Sequence, residues 1–241
     1  MNLCAKELGM ENTNYENVNG LDSENHYSCA RDIMTVTKEL LKYPEITQFT
    51  TIWMDTIRGG EFGLANTNKL IRFYDGATGM KTGFTTKSGY CISATAKRNG
   101  LGLIAVVLKS PTSKDRFSDA STMLNYGFNM YENVNFIEKD KKHTDLAVEK
   151  GLEDKVSVVY EKEFNAVVPK GKRNSLSCKI TGLKETVKAP IVKGQILGTA
   201  EIYSDDKKIA DVNLIAQNDV RKISLWYTFS KLFYNLTDFI M

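Results

Sequence analysis

A lysine, a hydroxyl and a glycine stand together at Lys81-Thr82-Gly83, inside the segment Gly76–Thr85. A lysine supplies a compact positive charge, and a threonine hydroxyl both donates and accepts hydrogen bonds. A glycine has no side chain, so another backbone can approach it closely. The triplet therefore suits a peptide with an anionic end. It also fits a strand that ends in a bulge, and the three residues alone leave that structural interpretation open.

Two strand-like segments follow the triplet and are joined by Asn99-Gly100. Asn-Gly between alternating apolar residues is a strong short-range signal of a β-hairpin. We therefore predict a long hairpin within 90–108, with Lys81-Thr82-Gly83 on a strand beside it. An edge strand in that place offers unpaired backbone groups to an extended peptide.

Five segments give the chain a resemblance to a known family. Lys-Thr-Gly is one of three catalytic signatures of penicillin-binding proteins and class A β-lactamases. The order and spacing of the segments resemble the low-molecular-mass D-alanyl-D-alanine carboxypeptidases, serine peptidases that trim peptidoglycan stem peptides. The resemblance covers nearly the whole chain. The matching segments are Gly20–Ser28, Lys81–Thr85, Ser88–Cys91, Lys114–Phe117 and Leu124–Phe128.

The resemblance implies a substrate-binding role for five residues. Lys81 and Thr82 are expected to bind substrate near the reacting centre, and Gly83 to give backbone access. The backbone N–H of Phe84 is expected to form half of the oxyanion hole, although many relatives have a histidine there and the rate or specificity is expected to differ. Arg116 occupies the place of an arginine that helps to hold the substrate's terminal carboxylate, which its planar fork matches. On the residues alone, a surface arginine at a helix start is the simpler interpretation of Arg116.

Two other signatures of the family, Ser-x-x-Lys with its nucleophile and Ser-x-Asn, are not found in their expected places. Ser204-Asp-Asp-Lys207 fits the first as a string, but it lies between apolar runs and is predicted to be a hairpin turn. Ser23-Glu-Asn25 fits the second and is predicted to be a solvated loop. Met1–Gly9 resembles family sequence that follows Ser-x-Asn. We therefore expect the downstream part of a longer enzyme, with no catalytic residue of its own and inactive alone, because acyl transfer needs a nucleophile, a base and an oxyanion site together.

Composition excludes several classes of function. The net charge of +3 over 241 residues is too small to indicate nucleic-acid binding. The four cysteines form no C-x-x-C pair and indicate neither a zinc site nor a disulfide scaffold; Cys91 is predicted to be a buried thiol. His26 and His143 lie in polar stretches and are predicted to be surface residues, so a Ser-His-Asp triad is not supported. We expect no metal and no cofactor.

The periodicity and the resemblance together predict an α+β fold in three parts. The resemblance implies that residues 1–133 form the C-terminal part of a penicillin-binding or β-lactamase-like transpeptidase domain, an antiparallel sheet with helices. Residues 134–219 are predicted to be a small all-β domain, and residues 220–241 an amphipathic membrane-anchor helix. A change of composition near Glu132–Lys142 marks the first boundary.

Several elements are predicted to position the site. A helix ending near Leu8 is closed by Gly9, and a second helix is capped by Ser28 and runs to about Lys42. Its mainly apolar positions are Ile33, Met34, Val36, Leu40 and Leu41. Further predictions are a strand over Phe49–Ile57, a turn at Arg58–Glu61, a helix over Phe117–Met130, and strands over 156–160, 165–168, 176–180, 195–203 and 209–214.

The last segment, Arg221–Met241, has apolar residues at helical spacing. It is too polar for a spanning helix, which needs about 20 mainly apolar residues. An amphipathic helix in the membrane interface fits it better, and the family carries such an anchor in this place. A helix docked on the protein's own core is the alternative.

We therefore expect a serine-type D-Ala-D-Ala carboxypeptidase, a hydrolase of peptidoglycan and cell-wall maturation with a part in cell shape. Its expected partners are the pentapeptide substrate, β-lactams and the membrane surface. Its expected location is the extracytoplasmic face of the bacterial membrane. The alternative is a non-catalytic, membrane-associated peptidoglycan-binding or scaffold protein. A β-lactamase fits less well, because the β domain and the anchor suit a carboxypeptidase.

Overall fold

The computed structural model describes residues 1–224 and Trp226. The chain divides into two compact units, Met1–Glu132 and a second unit that begins at Asn133. The first contains five helices and five strands in its described residues. Its helices are α1 Asn2–Glu7, α2 Ala30–Leu40, α3 Glu45–Thr50, α4 Leu70–Phe73 and α5 Ser113–Met130. Its strands are β1 Met54–Ile57, β2 Phe62–Ala65, β3 Ala77–Thr85, β4 Gly89–Arg98 and β5 Leu101–Ser110.

An antiparallel sheet of order β3-β4-β5 is the centre of the first unit. The predicted hairpin is confirmed: Arg98 pairs with Leu101, and Asn99 and Gly100 both have positive φ, at 48° and 79°. Positive φ at both central residues is what a type I′ turn needs, and Asn-Gly adopts it at low cost. Within the described residues β3 has a strand partner on one side only, so the triplet lies on an edge strand as predicted.

Helix α5 packs across this sheet and forms the core of the first unit with it. Alanines at sheet and helix positions let the two layers approach closely. Gly127 continues this contact, because a Cβ there would lie 2.6 Å from Cδ1 of Leu103. The buried residues of this core are Leu70, Ile92, Ala94, Ala96, Leu101, Ala105, Ala120, Leu124 and Phe128.

Helix α2 is present, but its cap and its buried face differ from the prediction. Its N-cap residue is Cys29, because the Ser28 hydroxyl is hydrogen-bonded to the Thr13 hydroxyl at 2.8 Å. The buried residues of α2 are Asp32 and Thr37, which bond to a neighbouring loop and to the sheet. The predicted apolar positions are at most half-buried or are exposed.

Two predicted boundaries were wrong. Phe49 and Thr50 complete α3, so only Met54–Ile57 of the predicted strand is extended. Helix α5 begins four residues before Phe117, because the Thr112 hydroxyl accepts a hydrogen bond from the backbone N–H of Asp115. Thr-x-x-Asp at this point is a variant of the capping box, and it places Arg116 in the first helical turn rather than in a loop.

The second unit consists mainly of β-strands in its described residues, as predicted, with a short 3-10 helix at Arg173–Ser175. A six-stranded sheet has the order β10-β12-β13-β8-β7-β11, and β6 pairs with β9. The sequence patterns missed β6, β7 and β11. In β7 the apolar residues Leu146 and Val148 alternate with the exposed residues Asp145, Ala147 and Glu149, and only Leu146 and Val148 are buried. The strands are β6 Tyr131–Ile137, β7 Lys142–Glu149, β8 Lys155–Tyr160, β9 Phe164–Pro169, β10 Leu176–Thr181, β11 Thr186–Lys188, β12 Ile196–Ser204 and β13 Lys207–Ala216.

The two chance matches to catalytic signatures lie in turns. Ser204 pairs with Lys207 across the β12–β13 hairpin, and Asp205 in that turn has a φ of 51°. Ser23 and Asn25 lie in an irregular loop, where both donate hydrogen bonds to the carboxylate of Glu16. Ser204 does not lie on a helix start, so it lacks the setting that the nucleophile requires, and Ser23 lies in a loop as predicted.

The predicted anchor falls mostly outside the described residues. Val220 pairs with Ile191, and Lys222 with Gly151, so the segment that leads to it is extended. Residues 225 and 227–241, which carry most of the amphipathic pattern, lie outside the description. None of the helices within the described part has the length and apolar character that crossing a membrane would require.

Candidate substrate-binding site

Lys81 lies on the exposed face of the edge strand β3. Its ammonium donates a hydrogen bond of 2.6 Å to the backbone carbonyl of Thr82. An ammonium has three donors, and this contact uses one of them. The side chain is therefore folded along its own strand, where its remaining donors can meet an anionic group.

Thr82 is buried, with 7% of its surface exposed. Its hydroxyl lies 2.7 Å from the hydroxyl of Thr67, and either oxygen can be the donor. Thr67 itself is exposed. The hydroxyl of the triplet is therefore half of a pair, and its partner Thr67 is not among the site residues predicted from the sequence.

Two asparagines fix the loop that carries Thr67. The amide of Asn66 donates to the carbonyls of Thr50 and Ile52 at 3.2 and 2.9 Å. The amide of Asn68, which is almost fully buried, donates to the carbonyl of Gly79 on β3 at 2.9 Å. The carbonyl oxygens of the two asparagine side chains accept backbone N–H groups of the same loop. Asn-x-Asn is a turn-forming pattern, and this signal could have marked Thr67 as a residue in a fixed position.

Gly83 and Phe84 continue the strand beyond Thr82. Gly83 is exposed, and the space where a Cβ would lie is open. The ring of Phe84 is exposed and stacks on its cross-strand partner Tyr90, with ring centroids 4.3 Å apart. The site thus has an aromatic surface directly after the triplet.

Arg116 reaches the triplet from α5 and is buried, with 7% of its surface exposed. Its Nη1 donates to the carbonyls of Gly83 and Cys91 at 3.1 and 3.3 Å, and its Nη2 donates to the hydroxyl of Ser113 at 3.4 Å. The guanidinium also lies over the rings of Tyr90 and Phe117, at 5.4 and 4.7 Å from their centroids.

The remaining nitrogen of Arg116, Nε, is buried and has no hydrogen-bond partner. Burial lowers the pKa of the guanidinium from its ordinary value, yet an arginine stays charged at neutral pH. Arg116 therefore supports the backbone of the triplet, rather than standing on the surface as the residues alone suggested.

A loop from the segment Gly20–Ser28 meets the end of β3. The carboxylate of Asp22 accepts hydrogen bonds from the hydroxyls of Thr85 and Ser88, at 2.8 and 3.4 Å. Three of the segments that carry the family resemblance are thus in contact, although Asp22 lies 63 and 66 residues before its two partners in the chain. This contact places the loop beside Phe84.

The structure brings the five predicted site residues together through one strand. Lys81, Thr82, Gly83 and Phe84 are consecutive on β3, and Arg116 contacts the carbonyl of Gly83. In the described residues Lys81 and Arg116 do not contact each other directly; they bond to the adjacent carbonyls of Thr82 and Gly83. A cation, a hydroxyl pair and a free strand edge are suited to binding an extended peptide with a terminal carboxylate.

Other predicted side chains lie apart from this strand or differ from expectation. Cys91 is half-buried and lies outside the apolar clusters, so the prediction of a buried thiol was wrong. His143 is exposed and His26 is half-buried. Within the described part of the chain, no group of three or more histidine, cysteine or acidic residues is arranged to hold a metal ion.

Comparison with known protein families gives two matches. Residues 1–112 match the family described as D-alanyl-D-alanine carboxypeptidase, and residues 131–222 match the C-terminal domain of penicillin-binding protein 5. These two stretches leave out helix α5, Ser113–Met130, and residues 223–241.

Individual relatives agree with these matches. The D-alanyl-D-alanine carboxypeptidase DacF of Bacillus subtilis is 37% identical over 225 residues, which are 92% of this chain and 58% of that protein. The structure of penicillin-binding protein 5 from Haemophilus influenzae is 30% identical with a TM-score of 0.65, over 92% of this chain and 64% of the other. Penicillin-binding protein D2 of Listeria monocytogenes in its cefotaxime-bound form is 34% identical with a TM-score of 0.50, over 53% of each chain. The chain thus spans somewhat more than half the length of the curated relative.

Proposed function

The chain belongs to the D-alanyl-D-alanine carboxypeptidase family of low-molecular-mass penicillin-binding proteins, and on that premise we propose that it forms the substrate-binding wall of such an enzyme. The whole protein removes the terminal D-alanine from peptidoglycan stem peptides. The observation that carries the proposal is the edge strand β3, on which the Lys81 ammonium and the hydroxyl of Thr82, paired with that of Thr67, lie beside an open glycine.

The proposed reaction is acyl transfer through a serine. A serine hydroxyl from a part of the protein outside these 241 residues loses its proton to a base and attacks the carbonyl between two D-alanines. The amide bond breaks, the leaving nitrogen takes a proton, and D-alanine is released from the acyl-enzyme. A water molecule then hydrolyses the ester and regenerates the serine.

The residues on β3 have distinct parts in this reaction. Lys81 supplies positive charge beside the reacting centre, and Thr82 donates to the peptide's terminal carboxylate. Gly83 lets the peptide backbone approach, and the N–H of Phe84 is half of the oxyanion hole, where a fixed donor stabilises the charge that develops. Arg116 supports this strand and adds positive charge close to the carboxylate. β-Lactams, one of which, cefotaxime, is bound in the structure of the Listeria relative, are expected to acylate the same serine.

We extend the proposal to the membrane. Arg221–Met241 is proposed to lie in the membrane interface on the extracytoplasmic side, where peptidoglycan is found. The support is the helical spacing of its apolar residues, with two cations, Arg221 and Lys222, before it. For the β domain we propose a spacer or interaction role.

A fluorescent penicillin tests the catalytic part directly. The 241-residue chain and the complete protein that contains it are each incubated with the label and separated on a denaturing gel. We expect a labelled band for the complete protein only, because acylation needs the serine. A labelled band at the mass of the 241-residue chain would contradict the assignment of the nucleophile, and an unlabelled complete protein would contradict the function.

A further inference from the structure

We propose that Thr67 is a positioning residue of the carboxylate-binding site, and that its hydroxyl fixes the direction in which Thr82 donates. The proposal rests on the proposed function, because Thr82 is one of the groups assigned there to the peptide's terminal carboxylate. It concerns a residue on a different element, the loop between β2 and α4.

The hydrogen-bond accounting of the pair leads to this inference. Each threonine hydroxyl has one proton and two lone pairs. With the Oγ atoms of Thr67 and Thr82 2.7 Å apart, one hydroxyl donates to the other. Neither hydroxyl has a further hydrogen-bond partner among residues 1–224 and Trp226. The pair therefore keeps one proton that is available to an acceptor from outside.

An anionic ligand selects between the two directions of this bond. If Thr82 donates to Thr67, its only proton is used and it cannot donate to a carboxylate. If Thr67 donates to Thr82, the proton of Thr82 is available. A carboxylate at Thr82 thus selects one series of hydrogen bonds, in which Thr67 donates to Thr82 and Thr82 donates to the ligand. In such a series each hydrogen bond polarises and strengthens the next.

The loop geometry keeps Thr67 in place for this task. Asn66 and Asn68 bond the two sides of Thr67 to the α3–β1 connection and to β3. The side chain of Thr67 is exposed, whereas that of Thr82 is buried. Thr67 therefore covers Thr82 from the outside and limits the rotation of its hydroxyl.

The chain of hydroxyls also gives a basis for specificity. An ionised carboxylate is a stronger hydrogen-bond acceptor than an ester or an amide. Its binding is therefore strengthened more by the Thr82 proton, which the hydrogen bond from Thr67 leaves available. We expect Thr67 to contribute to the preference for a free terminal carboxylate over a blocked one. The Lys81 ammonium, which bonds the carbonyl of Thr82, favours the same charge.

The test compares acylation of the complete protein by a β-lactam acid and by its methyl ester. Thr67→Val removes the hydroxyl and keeps the side-chain shape, whereas Thr67→Ser keeps the hydroxyl. Thr122→Val is the control, because that exposed hydroxyl bonds only the carbonyl of Ser118 in its own helix. We expect Thr67→Val to slow acylation by the acid about tenfold, the factor that one hydrogen bond is worth, and to leave the ester almost unchanged.

The remaining variants complete the test. Thr67→Ser and Thr122→Val are expected to stay close to wild type with both compounds. The double variant of Thr67→Val and Thr82→Val is expected to be no slower than Thr82→Val alone, because Thr67 acts through Thr82. Equal slowing with acid and ester, or independent losses that multiply, would overturn the inference.

A second measurement separates this inference from the proposed function. If the complete wild-type protein is not acylated, the function is contradicted. A double-mutant cycle on the unfolding of the 241-residue chain then tests the hydroxyl pair by itself. Coupling between Thr67→Val and Thr82→Val supports the pair, and additive effects contradict it.

Discussion

Arg116 lies behind Gly83, with its Nη1 3.1 Å from the carbonyl oxygen of that glycine. The same nitrogen donates to Cys91, which is paired with Gly83 across the β3–β4 ladder. The guanidinium thus joins α5 to the strand that carries the triplet. Arg116 therefore holds β3 in position, and it adds positive charge for a bound carboxylate as a second role.

Arg116→Met is expected to destabilise the 241-residue chain by about 2 kcal/mol, the range for hydrogen bonds to a charged group. Methionine has a similar shape and keeps most of the packing against Tyr90 and Phe117. The control is Lys114→Met, in the same helical turn but exposed, which is expected to change the free energy of unfolding by less than about 0.5 kcal/mol. Urea denaturation measures both. Equal stability of the two variants would contradict the supporting role of Arg116.

Lys81→Ala is expected to reduce the rate of acylation of the complete protein by about a hundredfold, because a fixed charge at a reacting centre is worth this order of magnitude. Lys87 is another exposed lysine, shortly after β3, so Lys87→Ala is the matched control. This variant is expected to be acylated at the wild-type rate. Stopped-flow kinetics with a fluorescent penicillin gives the acylation rate constant of each variant. Unchanged acylation in Lys81→Ala would remove Lys81 from the mechanism.

Asp32 makes the stability of the chain depend on pH. The hydroxyl of Thr13 and the backbone N–H of Asn12 bond to its carboxylate, both at 2.8 Å. The hydrogen bond from Thr13 is the main reason why the pKa of Asp32 lies below its ordinary value, and the bond from Asn12 adds to it. The folded state therefore favours the ionised carboxylate.

The direction in which stability changes with pH follows from this lowered pKa. The stabilisation by Asp32 is complete above the ordinary aspartate pKa of about 3.9 and is lost as the pH falls below it toward the folded-state value. Thermal unfolding of wild type and Asp32→Asn should therefore differ most at neutral pH and converge in acid. A difference between their melting temperatures that stays constant from pH 7 to about pH 3 would contradict the assignment.

The membrane proposal predicts binding to vesicles. The 241-residue chain is expected to co-sediment with liposomes that contain anionic lipid, and a chain ending at Val220 is expected to stay in the supernatant. Apolar side chains and the cations Arg221 and Lys222 both contribute to such binding. Equal sedimentation of the two chains would end the anchor hypothesis.

The sequence by itself determined the local features of this protein. Asn99-Gly100 required a tight hairpin because both residues tolerate positive φ, and Ser204–Lys207 was recognisable as a turn because it lies between alternating strands. The triplet and its neighbours are consecutive residues, and the family resemblance depended on the order and spacing of five short segments. Such features are encoded within a few positions of the chain, so single-sequence patterns can detect them.

Only the tertiary structure decided which polar groups are paired. Thr67 was not among the predicted site residues, and Arg116 was a surface residue on its bare pattern, because their partners Thr82 and Gly83 are 15 and 33 residues away. Helix α2 buries Asp32 and Thr37 for the same reason: Thr13 and Ser93 complete their hydrogen bonds from elsewhere in the chain. Burial of a polar side chain depends on a partner that folding brings to it, and hydrophobic periodicity carries no information about that partner.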